Sequence, residues 1–429
     1  MKFTAAGDAI IQRRIQEDFK GYAELAPFIC EADARFFNLE TTLNLEGECP
    51  ASQYSGGTYL RTDPRVLPEL MRFGFNMTTF NNNHAMDFSY EGLNSTLDVL
   101  DECDIVHAGV GRNLGEASAP RYLDTNEGRV ALISVNTSFN PAMMAGVQSE
   151  RVQGRAGING LGIEEYMVVT ADELAFINDL ASRTGINVES DIISKEGYAP
   201  IRPANEGALG KLRFVLGERS EYVMRIKDVD VERVKRAIYE ARLQADYVII
   251  SVHSHELSGD AKENPSKFLI DFAHTCIDAG ASAIVGHGPH LLRPIEVYKD
   301  CPIFYSLGDF VLQLYNVELA PAEFFAKFDM PHNATVHDLL KKRSKNFTVG
   351  LMTDERMFIS VIPLWECKDG KLKSIRLMPI EMKMSGNKSE IGLPRKCAPE
   401  RVFDYLSGMC RPYGVTLSVN SDGTIECHW

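Results

Sequence analysis

Three absences narrow the field before any motif is read. None of the nine cysteines (30, 49, 103, 276, 301, 367, 397, 410 and 427) forms a Cys-x-x-Cys pair. That excludes a zinc ribbon and a thioredoxin-like redox centre, and the odd, scattered set fits reduced thiols in a cytoplasmic protein. No run of roughly 18 apolar residues occurs, so no membrane span is expected. The start, Met1 to Asp8, lacks the long apolar core of a signal peptide. Positive charge is also short. A formal net charge of -14 and a pI near 5.3 argue against nucleic acid or an anionic membrane surface as partner.

What is there is an ordinary globular composition, 45% hydrophobic and 24% charged over 429 residues. That length suits two or three domains, or one large α/β unit with insertions. Nothing in it sets an oligomeric state.

The organising stretch is Ile284-Val285-Gly286-His287-Gly288-Pro289-His290. A short apolar run stops at a glycine and delivers two histidines past a strand tip, where open α/β sheets place their chemistry. Neutral imidazole is the commonest metal ligand. A turn carrying two surface histidines is the bland alternative. Similar strand ends recur earlier. Lys2 to Ala6 is stopped by Gly7 and followed by Asp8, which alone reads as a helix cap as readily as a ligand. Arg35 to Leu39 runs into Glu40, and Phe75 to Phe80 into Asn81-Asn82-Asn83-His84-Ala85-Met86-Asp87, a polar knot that a left-handed turn would also explain. Tyr247 to Val252 ends in His253-Ser254-His255-Glu256. Between them lie helical patterns at 64–73, 89–100, 231–244 and 265–279, and strand patterns at 105–108 and 130–135. The alternation predicts a mainly parallel or mixed sheet flanked by helices. His274 reads as core or surface, and His332, His337 and His428 have no evident partners.

Three segments depart from that rhythm. Residues 44–57 are polar and turn-rich, a candidate active-site loop. Residues 140–220, glycine-rich with one helix near 170–182, read as a long insertion, either a lid over the site or a remote subdomain. Leu307-Gly308-Asp309-Phe310 reads as a tight return, and beyond it come a basic helical stretch at 317–345 and a hairpin through Lys368-Asp369-Gly370.

Taken together, the series Gly7-Asp8, Asn38-Leu39-Glu40, Asn82-Asn83-His84 with Asp87, His253, Gly286-His287-Gly288-Pro289-His290 and Tyr305-Ser306-Leu307-Gly308-Asp309-Phe310 resembles the CapA family. Its members are poly-γ-glutamate capsule synthesis proteins related to calcineurin-like metallophosphatases. The resemblance implies a four-layer α/β/β/α sandwich over residues 1–315, interrupted by the insertion, with residues 316–429 adding a helical segment and a hairpin that complete it. It also implies one or two divalent transition ions, Mn, Fe or Zn. Asp8 would hold the first and Glu40 would bridge. Asn83 and His253 would hold the second, with His287 and His290 divided between them. His84 would be the general acid, and Asp87 would orient it or touch substrate. The implied function is a phosphoesterase-like metal-dependent hydrolase of a small anionic substrate. The alternative is a non-catalytic accessory role in handling poly-γ-glutamate.

The chain departs from the pattern in several places. Ile10 stands where the phosphatases carry a histidine, Glu40 replaces a shorter aspartate, and the middle histidine of the CapA motif is Gly288. Asp309 replaces an asparagine, and Ser254-His255 replaces Trp-Gly, which makes His255 and Asp309 additional candidate ligands.

Overall fold

The computed structural model describes residues 1–351 and 353–429. Strand Lys2–Ile10 (β1) is buried from Phe3 onward, as a strand covered on both faces must be. Beside it run Ala34–Leu39 (β2), Met77–Thr79 (β3) and Val106–Ala108 (β4), all parallel. A second sheet holds Gly128–Asn136 (β5), Tyr247–His253 (β6), Ala283–His287 (β7) and Cys301–Phe304 (β8), again parallel. Antiparallel strands Arg121–Thr125 and Ile295–Tyr298 close its two edges.

Strand side chains alternate between faces, and that alternation builds the layers. Phe3, Ala5 and Phe36 of the first sheet share one core with Leu132, Ile249 and Val285 of the second. Ala6, Phe37 and Leu39, on the opposite face, pack against Leu25, Phe28, Leu67 and Leu93. Those four residues come from helices Lys20–Ile29, Val66–Met71 and Ser89–Glu102. Helix Lys267–Asp278, with Phe268, Phe272 and Cys276 buried, lies against β7. This is the expected α/β/β/α sandwich.

Leu307–Phe310 is not a tight return. The chain leaves the second sheet after β8 and enters the first, where Asp309–Leu312 (β9) lies parallel to the end of β1. Gly308 makes the crossing with φ +73, and the Asp8 amide donates to its carbonyl at 3.1 Å. A Cβ on Gly7 would collide with that same carbonyl, so the approach requires glycine. The start of β1 is joined instead by the antiparallel hairpin of Ile359–Lys368 (β10) and Lys371–Met382 (β11). Asp369 and Gly370 both take positive φ at its tip, as a two-residue hairpin turn demands. Helix Pro399–Cys410 and strands Thr416–Val419 and Ile425–His428 finish this extension.

The chain divides into two compact units, Met1–Leu161 with Glu232–Trp429, and Gly162–Val231. Residues 140–220, expected to carry one helix near 170–182, hold more regular structure than that. Gly157–Ile158 pairs with Val110–Gly111 inside the first unit. The second unit is a four-stranded sheet of Glu206–Leu209, Leu212–Leu216, Ile163–Val169 and Glu221–Ile226, with helices Ala171–Thr184 and Val188–Lys195. Its strands are only half-buried, around a small core of Val169, Leu174 and Phe214. Their apolar runs, Tyr166 to Val169 and Phe214 to Leu216, are accordingly shorter than those of the central strands.

Candidate functional site

The carboxyl ends of β1, β2, β3, β6 and β7 converge, and the polar residues found there meet in one buried cluster. Asp8 is fully buried, and its Oδ1 accepts a hydrogen bond from Asn38 Nδ2 at 2.7 Å. Its Oδ2 accepts the Gly288 amide at 2.8 Å. Burial lifts the Asp8 pKa to about 7, against the pull of His290. Glu40 follows β2 and is equally buried, yet neither of its carboxylate oxygens meets a hydrogen-bond donor. Burial drives its pKa well above the carboxylate range, and Asp8, Asp309 and Asp87 push the same way.

His253 ends β6. Its Nε2 lies 2.8 Å from Asn83 Oδ1, 3.1 Å from His255 Nε2 and 3.9 Å from Glu40 Oε1. Its Nδ1 is 3.8 Å from Asp8 Oδ1. Burial, then the neighbouring imidazoles, holds His253 neutral well below the usual histidine range, and His255 behaves likewise. His287 ends β7 with Nε2 3.0 Å from Ser251 Oγ. Its Nδ1 is buried without a partner, 4.0 Å from Asp8 Oδ1, and burial brings its pKa down to about 3. His290 occupies left-handed backbone at φ 58, which turns its ring back so that Nδ1 sits 3.0 Å from Asp309 Oδ1 and 3.9 Å from Asp8 Oδ2. Burial opposes protonation of His290, but the Asp309 and Asp8 carboxylates outweigh it and its pKa is raised.

His84 and Asp87 form the rim. His84 Nδ1 lies 2.6 Å from Asp87 Oδ2, and that oxygen also accepts the Leu60 amide at 2.7 Å. Asp87 Oδ1 accepts the Gly56 amide at 3.3 Å. Burial raises the Asp87 pKa while His84 lowers it. A Cβ on Gly56 would collide with Asn83 Nδ2 and with the His84 ring. The polar loop 44–57 therefore does reach the site, and its glycine permits the contact.

All ten residues singled out in the sequence thus come together. Two triplets each offer one ligand atom per residue, with those atoms within 4.8 Å of one another: Glu40, His253 and His255, and Asp8, His290 and Asp309. Either triplet could hold a metal ion. The two additional candidates, His255 and Asp309, fall one in each. His274 stands apart, paired with Glu296 at 2.9 Å and stacked on Tyr298.

Sequence reasoning missed the residues that hold the His253–Glu256 loop. The Glu256 carboxylate accepts hydroxyls from Thr137 at 2.7 Å and Ser254 at 2.8 Å, and Ser138 Oγ lies 2.9 Å from it. Buried Arg293 donates to the carbonyls of Lys262 and Glu256 at 3.0 and 2.9 Å, and to those of Ser254 and His255 at 3.4 Å. Thr137 and Ser138 follow strand β5, so the strand-end rule applied there would have found them. Arg293 carries no such signal.

Relatives match much of the chain. The uncharacterized protein y4sH of Sinorhizobium fredii is 30% identical over 97% of this chain and 90% of its own length. Capsule biosynthesis protein CapA of Bacillus anthracis is 23% identical over 72% of this chain and 59% of its own. PGA biosynthesis protein CapA of Bacillus subtilis is 26% identical over 59% and 47%. The bacterial capsule synthesis protein PGA_cap family matches residues 2–314, the stretch that contains every site residue described above, and the chain belongs to that family.

Proposed function

We propose that this family member is a metal-dependent hydrolase acting on a small anionic, phosphoester-like substrate. The observation that carries the reading is the bare carboxylate of Glu40 among neutral imidazoles. Burying an ionisable group without a partner is costly, and such groups are ordinarily paired or bound to metal. Asp309 Oδ2 and His287 Nδ1 are likewise buried without partners. Divalent cations fit these orphans, with Glu40 and Asp309 each in a different ligand triplet. Asp8, His290 and Asp309 would hold one ion. Glu40, His253 and His255 would hold another, with Asn83 beside them and His287 within reach of Asp8. An oxygen and nitrogen set without thiolate suits Mn, Fe or Zn.

Such an ion supplies electrophilic pull on the ester and an acidified water. The chain's own contribution is proton transfer. The Asp87 Oδ2 carboxylate oxygen accepts a hydrogen bond from His84 Nδ1–H, which leaves Nε2 facing the cavity. Protonated His84 gives its Nε2 proton to the departing oxygen, and Asp87 stays ionised throughout. Nine unpaired thiols suit a reducing compartment, so a cytoplasmic location belongs to this reading. No helix among the described residues is long and apolar enough to cross a membrane.

The test is elemental analysis of protein purified without chelator, followed by a phosphoester panel with added Mn. Absence of bound transition metal together with no hydrolysis would sink the proposal. The Bacillus relatives are named for capsule and PGA biosynthesis, which supports as a second reading a role in polyglutamate capsule synthesis, here an accessory one without catalysis. Calorimetric binding of polyglutamate that survives metal removal would select it.

A further inference from the structure

Beside His84 and His290 the site opens into a cavity of about 100 Å3. Ile10, Leu60, Leu314 and Leu340 make its walls alkyl, and among the described lining residues Arg343 is the one permanent charge. Ile10 stands where the resemblance would have put a histidine, so a hydrocarbon wall has replaced a polar one. Arg343 is the last residue of helix Val336–Arg343, which is fixed by Val336, Leu339 and Leu340 buried in a shared core with Ile10, Leu60 and Leu312.

No carboxylate among the described residues lies within ion-pair distance of Arg343, whose guanidinium instead sits 5.7 Å from the Phe324 ring centre. Burial lowers its pKa. A basic residue in the last helical turn commonly serves the helix dipole. Lys341 and Lys342 already do so from solvent, and that role requires no burial. A half-buried guanidinium with no acidic partner, lining the same cavity as the proposed proton donor, has the donor fork that matches a carboxylate or phosphate.

We propose that Arg343 is the residue that positions the substrate, taking a second oxyanion on it while a short apolar spacer lies against Ile10, Leu60 and Leu340. This rests on the hydrolase reading and names its substrate class: a compact molecule with a reacting ester at one end and another oxyanion a few carbons away. The volume sets the length. An apolar cavity of roughly 150 Å3 holds benzene, so about 100 Å3 takes two to four carbons.

The experiment is calorimetry on the full chain with two non-hydrolysable probes, 3-phosphonopropionate and propylphosphonate, which differ in the second anion. Wild-type protein should bind the first at least ~10-fold more tightly, the order expected for a charge-assisted pair. Arg343→Met should erase that difference, and Arg343→Lys should keep part of it. Propane-1,3-bisphosphonate distinguishes the oxyanions, and an advantage for either that Arg343→Met removes supports the pairing. Equal binding of the two probes by wild type, a comparison that needs no variant, would overturn the proposal. So would an advantage that persists in a folded Arg343→Met. Metal content is measured on the same samples. A protein without metal that keeps the Arg343-dependent difference defeats the hydrolase reading alone. A metal-loaded protein without the difference defeats this one alone.

Discussion

His84 Nδ1 and Asp87 Oδ2 lie 2.6 Å apart, both buried, and the same aspartate binds the Gly56 and Leu60 amides. The pair therefore locks one tautomer of the imidazole and ties the 44–57 loop to it. Replacing His84 by Ala should lower kcat by about 10²–10⁴-fold, the usual worth of a positioned acid. Metal content should stay near wild type, because His84 belongs to neither ligand triplet. Steady-state rates and elemental analysis on one preparation check this. Loss of metal alongside activity would reassign His84 as a ligand.

Glu40 makes the opposite prediction. Glu40→Gln keeps the size of the side chain and removes the group that would ionise to meet a cation. Metal affinity should fall at least ~10-fold, since even residues supporting a ligand cost that much. Meanwhile the metal-free protein should become more stable, because a buried uncompensated acid has gone. Chelator competition and melting after chelation read the two effects separately. A variant that held metal as tightly as wild type would exclude Glu40 as a ligand.

How much of this was legible in the chain follows from what each signal reports. The strand ends could be read because a parallel strand buried on both faces is a continuous apolar run, so its polar terminus stands out. That exposed Asp8, Glu40, His253 and His287. The crossing at Gly308 could not be read, because a tight return and a jump between sheets use the same residues. It takes the partner strand, Asp8–Ile10, to tell them apart. Nor were the strands of Gly162–Val231 read, since the apolar run Tyr166 to Val169 is short, leads directly into a helix and follows the glycines at 154, 157, 160 and 162. Arg343 was hidden among Lys341 and Lys342 in a basic helix end that reads as solvated surface.

Arg293 should prove structural in a way visible at the site. Its guanidinium is buried, with the pKa brought down to about 10, and it spends its donors on carbonyls of the loop carrying His255. Arg293→Met leaves those carbonyls unsatisfied, which costs roughly 2–3 kcal/mol and lowers Tm by about 3 °C. Because His255 is released with the loop, metal affinity should fall as well. Thermal melts and chelator competition test both. A drop in Tm with unchanged affinity would show that the loop does not position a ligand.

The last prediction concerns pH dependence away from the site. His107 on β4 faces Asp101, with Nε2 2.9 Å from its carboxylate, while Nδ1 is buried without a partner. Arg121 is the other charge acting on it. Burial lowers the His107 pKa, Asp101 only partly offsets this, and Arg121 adds to the lowering. Protonation would leave the Nδ1 N–H without an acceptor, which explains the direction. The unfolded chain therefore binds the proton more readily once pH drops below about 6.5. The stability contributed by His107 is fully present above that pH and is lost as pH falls toward the lowered folded value. His107→Gln, which cannot titrate, should flatten this part of the curve. Urea midpoints at about pH 5 and about pH 7.5 should then differ less in the variant than in wild type. An equal or larger difference in the variant would show that Asp101 dominates and that the lowering is wrong.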